Sequence, residues 1–428
     1  MKSLVFMIIL TLILGCSKID QVEQEISAPQ SMVDDFIIMA YSGPPLEEVN
    51  IERYQEIADA GIEYLVPGNG TFNSEQNLKA MEIGEKVGIK IVPLDMRLVP
   101  FALTPGITID TSVVKSVVND YKDHPAFAGY VVKDEPHANV FPALYEISNL
   151  IRKEDLHHEP LINLFPSYGT LTQLGFEDFR GYINSYLDIV KPKLLSYDYY
   201  PFRLNNQTMV DGWFSDLLVV RDETRKANIP FMVFMQSEGI TEGLRIPNRA
   251  EILWQVNTAL AYGARGVGWF SYWTPVPDQG FPQEEGAAPP IVEHHHNAMI
   301  GLNGNRTEVY DYVKEANLYL KKTGKGLLGW DNINVARYED GQLIEGSSPV
   351  LSPKGEGENI VIGTYLLDKK ARVVISNSSC EESTAVALDV QSGWEPENIF
   401  ASIDAEQTSK LLLEWSIKPG GSVIIELK

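Results

Sequence analysis

Short apolar runs recur along the chain, and polar segments of helical period fill the gaps between them. The runs cover 36–40, 62–66, 89–94, 127–132, 161–165, 194–199, 231–235 and 266–272. Their starts lie 26, 27, 38, 34, 33, 37 and 35 residues apart, which leaves room for a helix in every interval. Helices are clearest over 51–60, 77–87, 112–121 and 249–262. Gly61, Gly88 and Gly263 follow three of them, as suits the left-handed residue that stops a helix. Repeated strand–helix units predict parallel pairing. Runs that are apolar at nearly every position predict strands covered on both faces. Eight such units close a barrel. An open doubly wound sheet would carry a glycine-rich phosphate loop after its first strand. Here that place holds Ser42-Gly43-Pro44-Pro45.

The reading is therefore α/β: a (β/α)8 TIM barrel over 35–326, with 307–323 as its closing helix. The pattern then changes. Short strands over 333–337, 360–366, 371–377, 384–388, 410–417 and 422–427 alternate with turns such as Lys418-Pro419-Gly420-Gly421. They predict a C-terminal β-sandwich over 327–428.

At the other end, residues 4–14 are apolar apart from Thr11 and follow Lys2. That stretch falls short of the roughly 20 residues of a membrane span and has the length of a signal-peptide core. It ends in Leu12-Ile13-Leu14-Gly15-Cys16, which resembles the lipobox of bacterial lipoproteins. The resemblance implies a signal peptide over 1–15, lipidation at Cys16 and a polar tether over 16–34. It also implies anchoring to the outer membrane, facing the periplasm or the cell surface. The other cysteine, Cys380, is then alone and is expected to be a small core or surface residue.

Composition narrows the function. At 44% hydrophobic and 22% charged, the chain is globular rather than disordered or coiled coil. A formal charge of −23 argues against nucleic acid, whose phosphates need clustered cations. The strand ends of a barrel carry its chemistry. Here they supply Tyr41, Asn69, Asp95, Asp134-Glu135-Pro136-His137, Asn163, Asp198-Tyr199-Tyr200, Gln236-Ser237-Glu238 and Trp269 to Trp273. Aromatic rings beside carboxylates and amides suit sugars, which present C–H faces and hydroxyl edges. Glycoside hydrolysis needs two carboxyl groups flanking the bond, and Glu135 and Glu238 end the fourth and seventh strands.

Glu-Pro after strand four and Glu after strand seven resemble the clan A glycoside hydrolases, which are retaining barrel enzymes. The outline resembles polysaccharide-degrading lipoproteins of the Bacteroides type, including endo-β-1,3-glucanase and β-galactosidase-like families. The resemblance implies double displacement on a β-linked glycan such as a β-glucan or galactan. Glu135 is then the acid/base and Glu238 the nucleophile. It further implies Tyr199 or Tyr200 beside the nucleophile and Trp273, with Trp269 second, under the sugar. Asp134, Asp198, Tyr41, Asn163, Gln236 and His137 complete the expected substrate contacts. One position departs from the family, which usually has Asn where this chain has Asp134. An ionised Asp only accepts hydrogen bonds, so the sugar 2-hydroxyl would have to donate to it. Its charge should also raise the pKa of Glu135. The departure supports a second reading, an inactive barrel that binds glycans. A third reading, a metal-dependent hydrolase, would use His294-His295-His296. Consecutive loop side chains do not converge on one centre, so a solvated loop is expected there and no metal. No cofactor is expected, the partner is an oligo- or polysaccharide, and the chain is expected to be a monomer. The stretch 275–290 is expected to wall the cleft.

Overall fold

The computed structural model describes residues 31–428 apart from 104, 207, 242, 278–294, 356–357 and 410–412. The expected signal peptide, Cys16, most of the tether, His294 and most of the 275–290 loop lie outside the described residues.

All eight expected barrel strands form: β1 (Ile37–Tyr41), β2 (Tyr64–Val66), β3 (Lys90–Ile91), β4 (Gly129–Asp134), β5 (Glu159–Leu164), β6 (Leu195–Tyr199), β7 (Phe231–Gln236) and β8 (Gly266–Phe270). They pair in parallel in the order β3-β2-β1-β8-β7-β6-β5-β4. Two isolated parallel bridges, Ile91 to Phe127 and Leu94 to Val131, join β3 to β4 and complete the ring. A long helix follows each strand: α1 (Ile51–Asp59), α2 (Ser74–Val87), α3 (Thr111–Tyr121), α4 (Phe141–Glu154), α5 (Phe179–Val190), α6 (Val210–Ala227), α7 (Arg249–Tyr262) and α8 (Glu308–Gly326), with short helical turns Val99–Leu103 and Leu171–Leu174 ahead of α3 and α5. Local chemistry sets several boundaries. Asn73 and Asn248 open α2 and α7 with reciprocal capping boxes, and Gly88 and Gly263 end them in the left-handed conformation.

Strand side chains alternate between two cores, as the period of two requires. Ile38, Ala40, Val233, Val267 and their like pack outward against the helices. Ile37, Met39, Val66, Val92, Val131, Leu161, Met232 and Phe234 fill the barrel.

Helix α7 departs from an ordinary amphipathic barrel helix. Every residue from Glu251 to Tyr262 is buried. Its outer face is covered by the C-terminal sheet, made of β9 (Asp331–Glu339), β10 (Gln342–Gly346), β11 (Leu351–Pro353), β12 (Ile360–Leu367), β13 (Lys370–Asn377), β14 (Thr384–Val390), β15 (Pro396–Gln407) and β16 (Glu414–Leu427). The sheet is antiparallel, ordered β10-β9-β12-β13-β16-β14-β11, with β15 also on β16. The expected sandwich is realised as one curled sheet. Residues 422–427 of β16 pair with β13, whereas residues 414–417 pair with β14. The chain bends between them at Lys418-Pro419-Gly420-Gly421, so Trp415 and Ile417 share a core with Val373, Ile375 and Ile425. Two expected strands are thus one bent strand. Three strands, β10, β11 and β15, escaped the sequence reading. β15 is largely half-exposed and lacks a clean alternation.

Candidate active site

The C-terminal mouth of the barrel holds a cavity of about 230 Å³. Its polar lining is Tyr41, Lys133, Asp134, Glu135, Asn163, Asp198, Tyr200 and His295. Val131, Leu161, Phe234, Ile240 and Phe270 supply the apolar remainder.

A bulge in β4 explains why three consecutive residues reach one cavity. Val131 pairs with Leu161 and Lys133 with Ile162, so Val132 is the extra residue on its strand. A bulge re-aims the side chains that follow it. Glu135 then takes a left-handed backbone (φ 46°) and donates its N–H to the Asn163 carbonyl at 2.8 Å. Such a conformation is costly for a non-glycine residue and is held here by its surroundings. The Asn163 amide donates to Asp134 Oδ1 at 3.1 Å while its Oδ1 accepts from Ser196 Oγ at 2.8 Å. Asn163 is thereby fixed from both sides and orients Asp134.

Three carboxyl groups meet at this point. Burial pushes the Glu135 carboxyl well above the usual range, followed by the Asp198 charge and then by that of Asp134. The Asp134 effect expected from the sequence is present but comes third. Burial, and next the Asp134 charge, push Asp198 up to about 8. Asp198 Oδ1 is buried without a hydrogen-bond partner. Asp134 also titrates above its ordinary value. Burial is again the leading cause, opposed by the Asn163 amide and the Lys133 charge. Asp134 is open to the water of the mouth while protein surrounds it at longer range, and both facts enter its environment.

Glu238 stands apart. It is fully buried, with Oε2 accepting from Ser271 Oγ and Oε1 paired with His295 Nδ1. It does not line the cavity, but His295 does. A two-stranded antiparallel ribbon of Gly239–Ile240 and His295–His296 carries this arrangement. The solvated loop expected at the histidine tract is corrected for His295, a cavity wall with an acidic partner. Among the described residues, no three His, Cys, Asp or Glu side chains group as a metal site.

Of the expected site residues, the structure brings together Glu135, Asp134, Asp198, Tyr41 and Asn163. The others lie elsewhere for identifiable reasons. Tyr199 has the outward parity of Leu195 and Tyr197, packs at 5.8 Å from Trp213 and donates to the Met209 carbonyl. Tyr200, the other aromatic considered at this strand end, lines the cavity. Trp269 faces α8 and donates to Asn317 Oδ1 at 2.8 Å. Trp273 is buried in the outer core, with the Arg53 guanidinium 5.1 Å above its ring. Gln236 binds the Phe202 backbone and the Arg245 carbonyl, tying two loops to β7. His137 accepts from the Asn139 N–H and caps the turn Ala138–Val140. The aromatic wall is Phe270 instead, stacked on Tyr200 at 5.5 Å and 5.9 Å from both Tyr41 and His295. Counting by two from Asp198 identifies Tyr200. No sequence signal marks the bulge that exposes Lys133.

Comparison with known proteins supports this fold. No protein-family model matches the sequence, and no curated protein does. Among solved structures, the chain is similar to a β-galactosidase from Bacillus circulans sp. alkalophilus, at 10% identity and TM-score 0.61, over 93% of this chain and 100% of that one. It is also similar to a catalytic mutant of Gan42B, a GH42 β-galactosidase from G. stearothermophilus, at 10% identity and TM-score 0.58, over 94% and 100%. Trehalose-6-phosphate hydrolase from Bacillus licheniformis aligns at 9% identity and TM-score 0.52, over 93% and 100%. At these identities the likeness is one of fold: a TIM barrel followed by a C-terminal β domain.

Proposed function

We propose that the chain is a glycoside hydrolase that acts on a β-linked glycan, with Glu135 as general acid and then general base. The observation that carries this reading is the elevated carboxyl of Glu135 in a cavity at the barrel mouth walled by Tyr200 and Phe270. A carboxyl raised in this way holds its proton to higher pH than a free one and can give it to a departing glycosidic oxygen. The aromatic wall of Phe270 and Tyr200 suits the C–H face of a sugar, and Asp198 and Asn163 suit its hydroxyls. β-Galactosides head the substrate panel because two of the similar folds are β-galactosidases. In the double displacement that the sequence resemblance implies, Glu238 would attack the anomeric carbon. The His295 ring would first have to swing off its carboxylate.

The test is hydrolysis of a panel of 4-nitrophenyl glycosides and β-glucan, galactan, mannan and xylan oligosaccharides. Glu135→Gln should lower kcat on the cleaved substrate by ~10²-fold or more. Unchanged turnover in that variant removes Glu135 from the reaction. The capping of Glu238 favours a second reading, a glycan-binding protein without turnover. Oligosaccharide binding by calorimetry with no product over long incubation would select it. The lipobox supports anchoring through Cys16, so Cys16→Ala should move the protein from the membrane to the soluble fraction.

A further inference from the structure

We propose that the substrate is a β-linked 2-acetamido sugar and that its own acetamido oxygen, oriented by Asp134, is the nucleophile. The inference rests on the glycosidase reading of Glu135 and deepens it.

Three features of the cavity carry it. First, the carboxyl that would attack in a double displacement is out of reach: Glu238 is fully buried, and Ser271 and His295 occupy both its oxygens. Second, the position next to the acid is Asp134, not an amide. A carboxylate accepts hydrogen bonds and donates none, so it matches a ligand donor, and an amide N–H, unlike a hydroxyl, can only donate. Asn163 fixes its orientation, Lys133 lines the same wall, and Glu135 follows it directly in the chain. Third, Val131, Leu161 and Phe234 give the same cavity an apolar patch, on which an acetyl methyl can pack.

Some glycosidases dispense with a protein nucleophile and use the substrate instead. The steps balance here as follows. The acetamido carbonyl oxygen bonds to C1 as the glycosidic C1–O bond breaks, and the leaving oxygen takes the Glu135 proton. The positive charge rests on the resulting oxazolinium ring, whose N–H donates to the Asp134 carboxylate. Glu135, now ionised, takes a proton from water while the water oxygen bonds to C1. The C1–O(acyl) bond breaks and its electron pair restores the amide. The product keeps its anomeric configuration and Glu135 is protonated again. Back-side attack requires the acetamido group trans to the leaving group, which in gluco and galacto sugars restricts cleavage to β-linkages.

The experiment compares 4-nitrophenyl N-acetyl-β-glucosaminide and N-acetyl-β-galactosaminide with their 2-hydroxy counterparts. The expected result is turnover of a 2-acetamido substrate alone. Its rate should fall stepwise as the acetyl group is mono-, di- and trifluorinated. The matching sugar thiazoline should inhibit competitively. Asp134→Asn, nearly isosteric and so a fair test of charge, should cut kcat by ~10²–10³-fold with a smaller change in KM. Circular dichroism and the thermal midpoint report whether the variant is folded, and thiazoline affinity should fall with kcat in it, because the same carboxylate holds the ring nitrogen. Cleavage of 2-hydroxy glycosides at comparable rates, dependent on Glu135, would overturn the inference and leave the glycosidase reading standing. Cleavage of neither class would overturn both.

Discussion

Asp198 reaches about 8 because protein surrounds it and the Asp134 charge lies beside it. Its native value therefore stands above the unfolded value near 3.9, and the native state holds a proton that the unfolded chain gives up. The sign follows. Asp198 contributes a loss of stability that grows as pH rises from about 4 to about 8 and is complete above that. Asp216, pushed to about 7 by burial, acts in the same direction. Asp198→Asn should flatten part of the decline of Tm between about pH 5 and pH 8, read by thermal denaturation across that range. An unchanged slope would mean that Asp198 is not a proton-holding group. The same variant removes the largest charge effect on Glu135. The alkaline limb of kcat/KM should therefore move to lower pH, and a limb that stays in place would uncouple the two carboxyls. At this scale the sequence was informative wherever the strand end is regular. Glu135, Asp198, Tyr41 and Asn163 follow from counting strands. Tyr200 follows only from parity. Lys133 stands at the same strand end as Asp134 and Glu135, but its inward direction does not follow from alternation, because one inserted residue in β4 changes which side chains face inward.

Glycine at 268 shows how an element shapes the cavity. A Cβ built there would lie 2.3 to 2.7 Å from ring atoms of Phe234, which lines the site from β7. A glycine inside a strand marks a close approach of neighbouring groups, and here the group is the Phe234 ring. Gly268→Ala must push the Phe234 ring toward the cavity or spread two paired strands. Overpacking of this kind costs ~1–3 kcal/mol, seen in chemical denaturation, and KM should rise on whichever substrate is cleaved. A variant with wild-type stability and KM would show that the ring has another resting place. The elements that escaped the sequence share one cause. β10, β11 and β15 lie at sheet edges or carry exposed polar faces, so the apolar alternation that marks a strand is weak in them. The barrel strands are covered on both faces and announce themselves as continuous apolar runs.

Helix α7 ties the barrel to the C-terminal sheet, and this settles how the whole molecule should unfold. Its inner face packs on the barrel. Its outer face meets the sheet through Trp254 Nε1, which donates to the Ser378 carbonyl at 2.8 Å, and through Asn257, which donates to the Gly420 carbonyl at 2.8 Å and accepts from Ser422 Oγ at 2.9 Å. Tyr365 also donates to the Leu260 carbonyl. The contact is close enough to need glycine. Gly420 has φ +71°, and a Cβ there would lie 2.1 Å from the Ala250 carbonyl oxygen. Domains in one chain move independently unless their interface is large and apolar. A helix with no exposed residue from Glu251 to Tyr262 cannot leave the sheet without uncovering apolar surface on the barrel side of the seam. The two parts should therefore melt together. Gly420→Ala adds left-handed strain of ~1–2 kcal/mol to the steric clash. In calorimetry the variant should show one transition at lower temperature, with barrel and sheet shifted alike. Two separated transitions, the higher one at the wild-type position, would show that the sheet only rests on the barrel and that α7 owes its burial to a contact the barrel can lose.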